Sequence, residues 1–124
     1  MRAIAQIFVI LVALLHLYFL VLEMFYWTKP LGLKVFRQSL EQAKASATLA
    51  ANQGLYNGFL SAGLLWGLIH PLPEFGLQIQ IFFLICVFIA GAYGAYSVNK
   101  KIFFIQALPA LITILLISLS YASF

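Results

Sequence analysis

The 124 residues are 65% hydrophobic and only 8% charged, where a soluble domain carries about 25% charged residues, and a chain this short cannot hide so much apolar surface from water. A soluble globular domain is thereby excluded, and the lipid bilayer is the solvent that suits the chain. The formal net charge of +4 raises nucleic acid as a partner, but the basic residues fall between long apolar runs, where positive charge reports topology instead; no nucleic-acid partner is expected.

Apolar runs of about 20 residues cross a bilayer, and four are present, at 3–27, 49–69, 75–98 and 102–121. The first follows Arg2 as a signal peptide would. Its apolar stretch is too long for one, and no small-residue cleavage site follows, so it is read as a retained helix. In the segment TKPLGLKVFRQSLEQAKASAT, residues 28–48, Pro30 and Gly32 break that first helix. Ser39 and Gln42 then match a capping box, in which each side chain satisfies a backbone N–H at a helix start. The next helix therefore begins near residue 39 or 40 and runs on into the second span. HPLPEF (70–75) and NKK (99–101) are short links, and short links favour antiparallel neighbours. The expected fold is all-α: an integral membrane four-helix up-down-up-down bundle, one transmembrane domain over 1–124, with helices at about 3–27, 40–69, 75–98 and 102–122. The single cysteine, Cys86, lies within the third run and excludes an intrachain disulfide.

With four spans, the first and third connections share one side. They carry Lys29, Lys34, Arg37, Lys44, Lys100 and Lys101, leaving only Arg2 opposite. The positive-inside rule puts both connections in the cytoplasm and both termini outside it. In a bacterium this describes a multi-pass inner-membrane protein.

That orientation gives each polar side chain a depth. Glu23 lies about 7 Å inside the cytoplasmic end of the first helix, and His16 about 10 Å deeper, near the midplane. The two are about two turns apart and share a face. The second helix contributes Asn52, Gln53, Tyr56 and Asn57 to the same half, the third Tyr93 and Tyr96, and the fourth Gln106. The outer half is poorer in polar side chains, with Gln78, Gln80 and the serines near the C-terminus. A carboxylate near the middle of a membrane helix costs roughly 2.5–3.5 kcal/mol on insertion scales, so Glu23 requires neutrality, hydrogen bonds or a route to water. The layer is read as a polar pocket toward the cytoplasm, with His16, Glu23, Asn52, Gln53, Tyr56, Asn57, Tyr93 and Gln106 as ligand-binding candidates. Hydrogen bonds that merely join helices account for the same residues.

Other patterns are structural. Gly54, Gly58 and Ala62 form a small-residue row, as do Gly63 with Gly67 and Gly91 with Ala95; such rows let helices approach closely in lipid. Pro109 removes one hydrogen bond from the fourth helix beside Gln106 and is expected to kink it. No phosphate-binding glycine loop, no HExxH and no Cys or His pair with metal spacing occurs, so neither metal nor cofactor is expected and no catalytic residue is assigned.

HLYFLVLEMFYWTKPLGLKVF and LAANQGLYNGFLSAGLLWGL resemble the membrane protein family of domain of unknown function 1304. The matching positions are His16, Leu22, Glu23, Met24, Trp27 and Thr28, then Ala51 to Gly58, with Gln106 and Pro109 of KIFFIQALPAL similar to the family's Gln-x-x-Pro stretch. The resemblance covers nearly the whole chain. It implies a small multi-helix integral membrane protein and supplies no activity.

The functional expectation is a non-enzymatic or accessory membrane protein that binds a small polar or amphiphilic ligand. Glu23 would anchor it, Asn52, Gln53, Asn57 and Gln106 would orient it, and His16 would act deeper. Three alternatives use the same residues. A proton-coupled transporter subunit would require a homo-oligomer, since four helices are few to enclose a path. A membrane-embedded enzyme would use His16 or Glu23 as acid or base. A purely structural subunit would need only a self-satisfied polar layer.

Overall fold

The first helix, α1 (Arg2–Phe25), is apolar almost all round, yet its buried positions Ala5, Val9, Val12, Ala13, His16, Leu22 and Glu23 recur at helical spacing. It ends before Pro30: Tyr26 to Lys29 form a turn in which the Lys29 N–H donates to the Tyr26 carbonyl at 3.1 Å. Pro30 does not break a helix but begins one. With φ already set and no N–H to leave unpaired, it occupies the first position of the short helix α2 (Pro30–Phe36). Gly32 is needed there, because a Cβ on it would collide with the Tyr26 carbonyl. The chain leaves α2 through Arg37, in the left-handed conformation at φ 51° and ψ 52°, its N–H returning to the Leu33 carbonyl.

The helix α3 (Leu40–Ile69) starts on the capping box. The Gln42 N–H donates to Ser39 Oγ at 3.1 Å, and the Ser39 N–H donates to Gln42 Oε1 at 3.0 Å. After the link 70–72 comes α4 (Pro73–Ser97), again with proline in its first turn. A π-helical turn (Phe103–Ala107) then leads without interruption into α5 (Leu108–Tyr121). Its extra residue lies just ahead of Pro109. Proline can give no N–H to the carbonyl of Ile105, and the Leu108 N–H reaches back five residues to the Phe103 carbonyl. The expected irregularity at Pro109 is therefore a change of hydrogen-bond register.

The structure is a computed structural model and describes residues 1–122. All of the regular structure among them is helical, as the sequence leads one to expect. Among the described residues, three helical segments are long and apolar enough to cross a membrane: Arg2–Phe25, Pro73–Ser97 and Phe103–Tyr121. These suggest a membrane protein. The helix α3 has the length, but Asn52, Gln53 and Asn57 dilute its apolar character and it is not among the three.

The chain divides into two compact units, Leu14–Ser61 and Met1–Ala13 with Ala62–Phe124. In the first, the C-terminal part of α1 runs antiparallel to the N-terminal part of α3: Leu20 meets Gly58, Glu23 and Met24 meet Gly54, and Trp27 meets Ser46. The Trp27 indole N–H donates to Ser46 Oγ at 3.2 Å, and its ring lies 4.7 Å from that of Phe36 of α2. In the other unit, α3 and α4 are antiparallel, with Gly63 against Phe83 and Gly67 against Gln80 and Gly76. The end of α4 packs in turn on the π-helical turn, with Gly91 against Ala107 and Phe88 edge-on to Phe103. There too Arg2, at the start of α1, lies 4.8 Å from the Tyr121 ring at the end of α5, its Nε donating to the Ser120 carbonyl at 3.4 Å.

Candidate functional site

Glu23 is the acidic residue that α1 carries near its C-terminal end, and it is buried at 4% exposure. Asn57, at 8%, faces it from α3 and donates from Nδ2 to Glu23 Oε1 at 2.7 Å. Gly54, one turn earlier on α3, makes the approach possible. A Cβ there would come within 2.7 Å of Met24 Cγ, 3.1 Å of Glu23 Cβ and 3.2 Å of the Leu20 carbonyl oxygen. The backbone of α3 thus rests directly on the turn of α1 that carries Glu23. An amide donor suits this oxygen whether the carboxyl group is neutral or ionised. The contact gives a buried, costly polar group a partner supplied by the neighbouring helix.

The other sequence-predicted residues take their places within their own units. His16 is fully buried, its ring edge-on to Phe19 at 5.7 Å. Asn52 is exposed and donates to its own helix, at the Thr48 carbonyl, 2.9 Å away. Gln53 and Tyr56 are exposed on α3, Tyr56 stacking loosely on Phe59. In the other unit, Tyr93 is exposed on α4 and Gln106 is half-buried in the π-helical turn. Glu23 and Asn57 are two candidates that a direct hydrogen bond brings together.

A shallow, open groove of about 390 Å³ runs along the α1–α3 seam of the Leu14–Ser61 unit, lined by Met24, Ala47, Thr48, Ala51, Asn52 and Leu55. Its lining is mostly apolar, with Thr48 and Asn52 as its polar side chains. Among the described residues no three of His, Cys, Asp and Glu gather as they would to hold a metal ion.

One polar contact lay outside the sequence expectations. Gln80 of α4 is buried and exchanges hydrogen bonds with Gln6 of α1, each amide Nε2 donating to the other's Oε1 at 3.2 Å, while Gln80 Nε2 also donates to the Gly67 carbonyl at 3.1 Å. Its signal was present in the sequence: Gln6 is the one polar side chain between Arg2 and His16.

Comparison with known proteins gives a consistent placement. The family model described as "Protein of unknown function (DUF1304)" matches residues 10–118. The chain is similar to the uncharacterized protein YpaA of Lactococcus lactis subsp. lactis (strain IL1403), with 32% identity over 108 residues, covering 86% of this chain and 89% of that protein. No solved structure matches it.

Proposed function

The chain belongs to the DUF1304 family of proteins of unknown function, and from that premise we propose that it is a non-enzymatic integral membrane protein whose Glu23–Asn57 hydrogen bond clamps α1 to α3 within the bilayer. The observation that carries this is the burial of both partners at 2.7 Å over a glycine contact. Three helical segments of spanning length support the bilayer as its setting and partner. The antiparallel packing of neighbouring helices inside each unit supports an up-down-up-down order of four helices. In it α3 is the fourth crossing; its 30 residues reach about 45 Å. The six-to-one division of Lys and Arg supports cytoplasmic first and third connections and termini outside, which in a bacterium is the inner membrane.

A double-mutant cycle tests the clamp. Glu23→Ala, Asn57→Ala and the double variant are unfolded in lipid nanodiscs, with an expected coupling of about 0.6–1.7 kcal/mol, the range of membrane-embedded hydrogen bonds. Strictly additive losses would remove the clamp.

A second reading, a small amphiphile held in the groove beside the clamp, is favoured by the groove's chemistry. Met24, Ala47, Ala51 and Leu55 offer an apolar wall and Thr48 and Asn52 a polar one, and its volume is within the range of about 300–1,000 Å³ usual for small-molecule sites. Ala51→Leu fills the groove without touching Glu23 or Asn57. Loss of a bound fluorescent lysolipid in that variant, at unchanged stability, is the outcome this reading requires; equal binding in both proteins ends it.

A further inference from the structure

We propose that α2 is an interfacial helix that seats on the cytoplasmic membrane surface and recruits anionic lipid headgroups through Lys29, Lys34 and Arg37. The proposal rests on the membrane setting argued above and goes beyond it, because neither the clamp nor the topology needs α2 to touch lipid.

Three observations converge on α2. The first is the division of its faces. Gly32 and Phe36, one turn apart, face the protein: Gly32 is buried against the Tyr26 carbonyl and Phe36 packs on Trp27. Leu31 and Val35, also one turn apart, face away, at 46% and 43% exposure. Single exposed apolar residues need no explanation. A pair on one helical face, directly after an apolar helix has ended at Phe25, forms a short apolar strip where that helix would leave the bilayer.

The second observation is charge. Lys29 precedes the helix, Lys34 lies within one turn of both Leu31 and Val35, and Arg37 follows it; all three are exposed. Long cationic side chains beside an apolar strip are the arrangement in which stems lie along lipid and heads reach the headgroups. Anionic headgroups complement that charge.

The third is Arg37 itself. It occupies the left-handed conformation that ends α2, at φ 51°, a position where glycine is the unstrained choice. An arginine there keeps a cation at the end of the apolar strip in spite of the backbone preference. Tyr26, exposed in the turn before α2, adds an aromatic of the kind found at headgroup level.

The test uses the full chain in vesicles of phosphatidylcholine, with and without an equal part of phosphatidylglycerol. Nitroxide labels are placed singly at Leu31→Cys, Val35→Cys, Lys34→Cys and, as the bilayer control, Leu14→Cys, all in a Cys86→Ser background. Collisions with oxygen report lipid, and collisions with a water-soluble nickel chelate report water. The expected result is oxygen access at 14, 31 and 35 and nickel access at 34. Preferential association of spin-labelled phosphatidylglycerol over phosphatidylcholine is expected, and its loss in the Lys29→Gln, Lys34→Gln, Arg37→Gln triple variant.

Nickel access at 31 and 35 with oxygen access at 14 overturns the seating and leaves the membrane setting standing. Shielding of 31 and 35 from both probes means that protein covers α2, and also overturns it. Nickel access at 14 overturns the membrane setting and the proposal together. A triple variant that keeps the lipid preference overturns the headgroup role. Should that variant not accumulate, the preference of the native-charge protein is measured as salt rises to about 1 M, where the Debye length is about 3 Å; a preference that persists there overturns the role equally.

Discussion

Gly54 of α3 sits against Glu23 of α1 so closely that a single added carbon would lie 3.1 Å from Glu23 Cβ and 3.2 Å from the Leu20 carbonyl oxygen. Neither neighbour is the free end of a side chain. Gly54→Ala is therefore expected to force the helices apart, and overpacking of this kind costs about 1–3 kcal/mol, against about 1 kcal/mol recovered from helix propensity. Gly58→Ala makes a matched control, because its added carbon meets the flexible tip of Leu20. Thermal unfolding in nanodiscs should rank Gly54→Ala well below Gly58→Ala; equal midpoints would contradict the close approach.

Glu23→Gln leaves an acceptor oxygen where Asn57 Nδ2 donates. Its stability should fall within about 1 kcal/mol of the parent, while Glu23→Leu, which strands the Asn57 amide, should lose about 1–3 kcal/mol. If both variants lose equally, the hydrogen bond is not what Glu23 contributes.

Gln80 serves two partners, Gln6 and the Gly67 carbonyl, and Gln6 serves one. Gln80→Leu should therefore destabilise more than Gln6→Leu, and adding Gln6→Leu to Gln80→Leu should cost little further. Each membrane hydrogen bond averages about 0.6 kcal/mol, so the difference between the single variants is expected near that size in an equilibrium unfolding titration.

At the other end of α4, a Cβ on Gly91 would stand 2.5 Å from the Ala107 backbone nitrogen and 2.9 Å from its Cα. Backbone cannot rotate away as a side chain can, so Gly91→Ala is expected to cost about 1–3 kcal/mol. Gly94→Ala, which would meet Ile102 Cγ2 at 3.0 Å, should cost less. A smaller loss at Gly91 than at Gly94, read from the unfolding midpoints, would count against the packing of α4 on the π-helical turn.

What could be read in advance depended on how local its cause was. Ser39 and Gln42 announce the start of α3, because the capping box closes within four residues. Pro30 and Gly32 read as breakers because proline also starts helices and because the need for glycine at 32 comes from the Tyr26 carbonyl across the turn, which the residue types alone do not display. The all-helical character follows from the apolar runs alone. In the candidate site, the shared inward face of His16 and Glu23 on α1 was legible from their spacing, and rotation about α3 was not. Asn52, Gln53 and Asn57 lie at similar depths, but only the contact at Gly54 decides that Asn57 meets Glu23 while Asn52 turns back to Thr48. Gln78 and Gln80 differ in the same way: two residues apart on α4, one is exposed and the other buried.

The polarity of α3 bears on the order of biogenesis. On the membrane setting proposed above, α1 has the hydropathy of a spanning helix, whereas α3 falls short of it. On that setting the carboxyl oxygen of Glu23 gives the Asn57 amide of α3 a partner, which relieves two desolvated groups at once. The unit Leu14–Ser61, which holds the end of α1 and the start of α3, is then complete in the chain before α4 has left the ribosome.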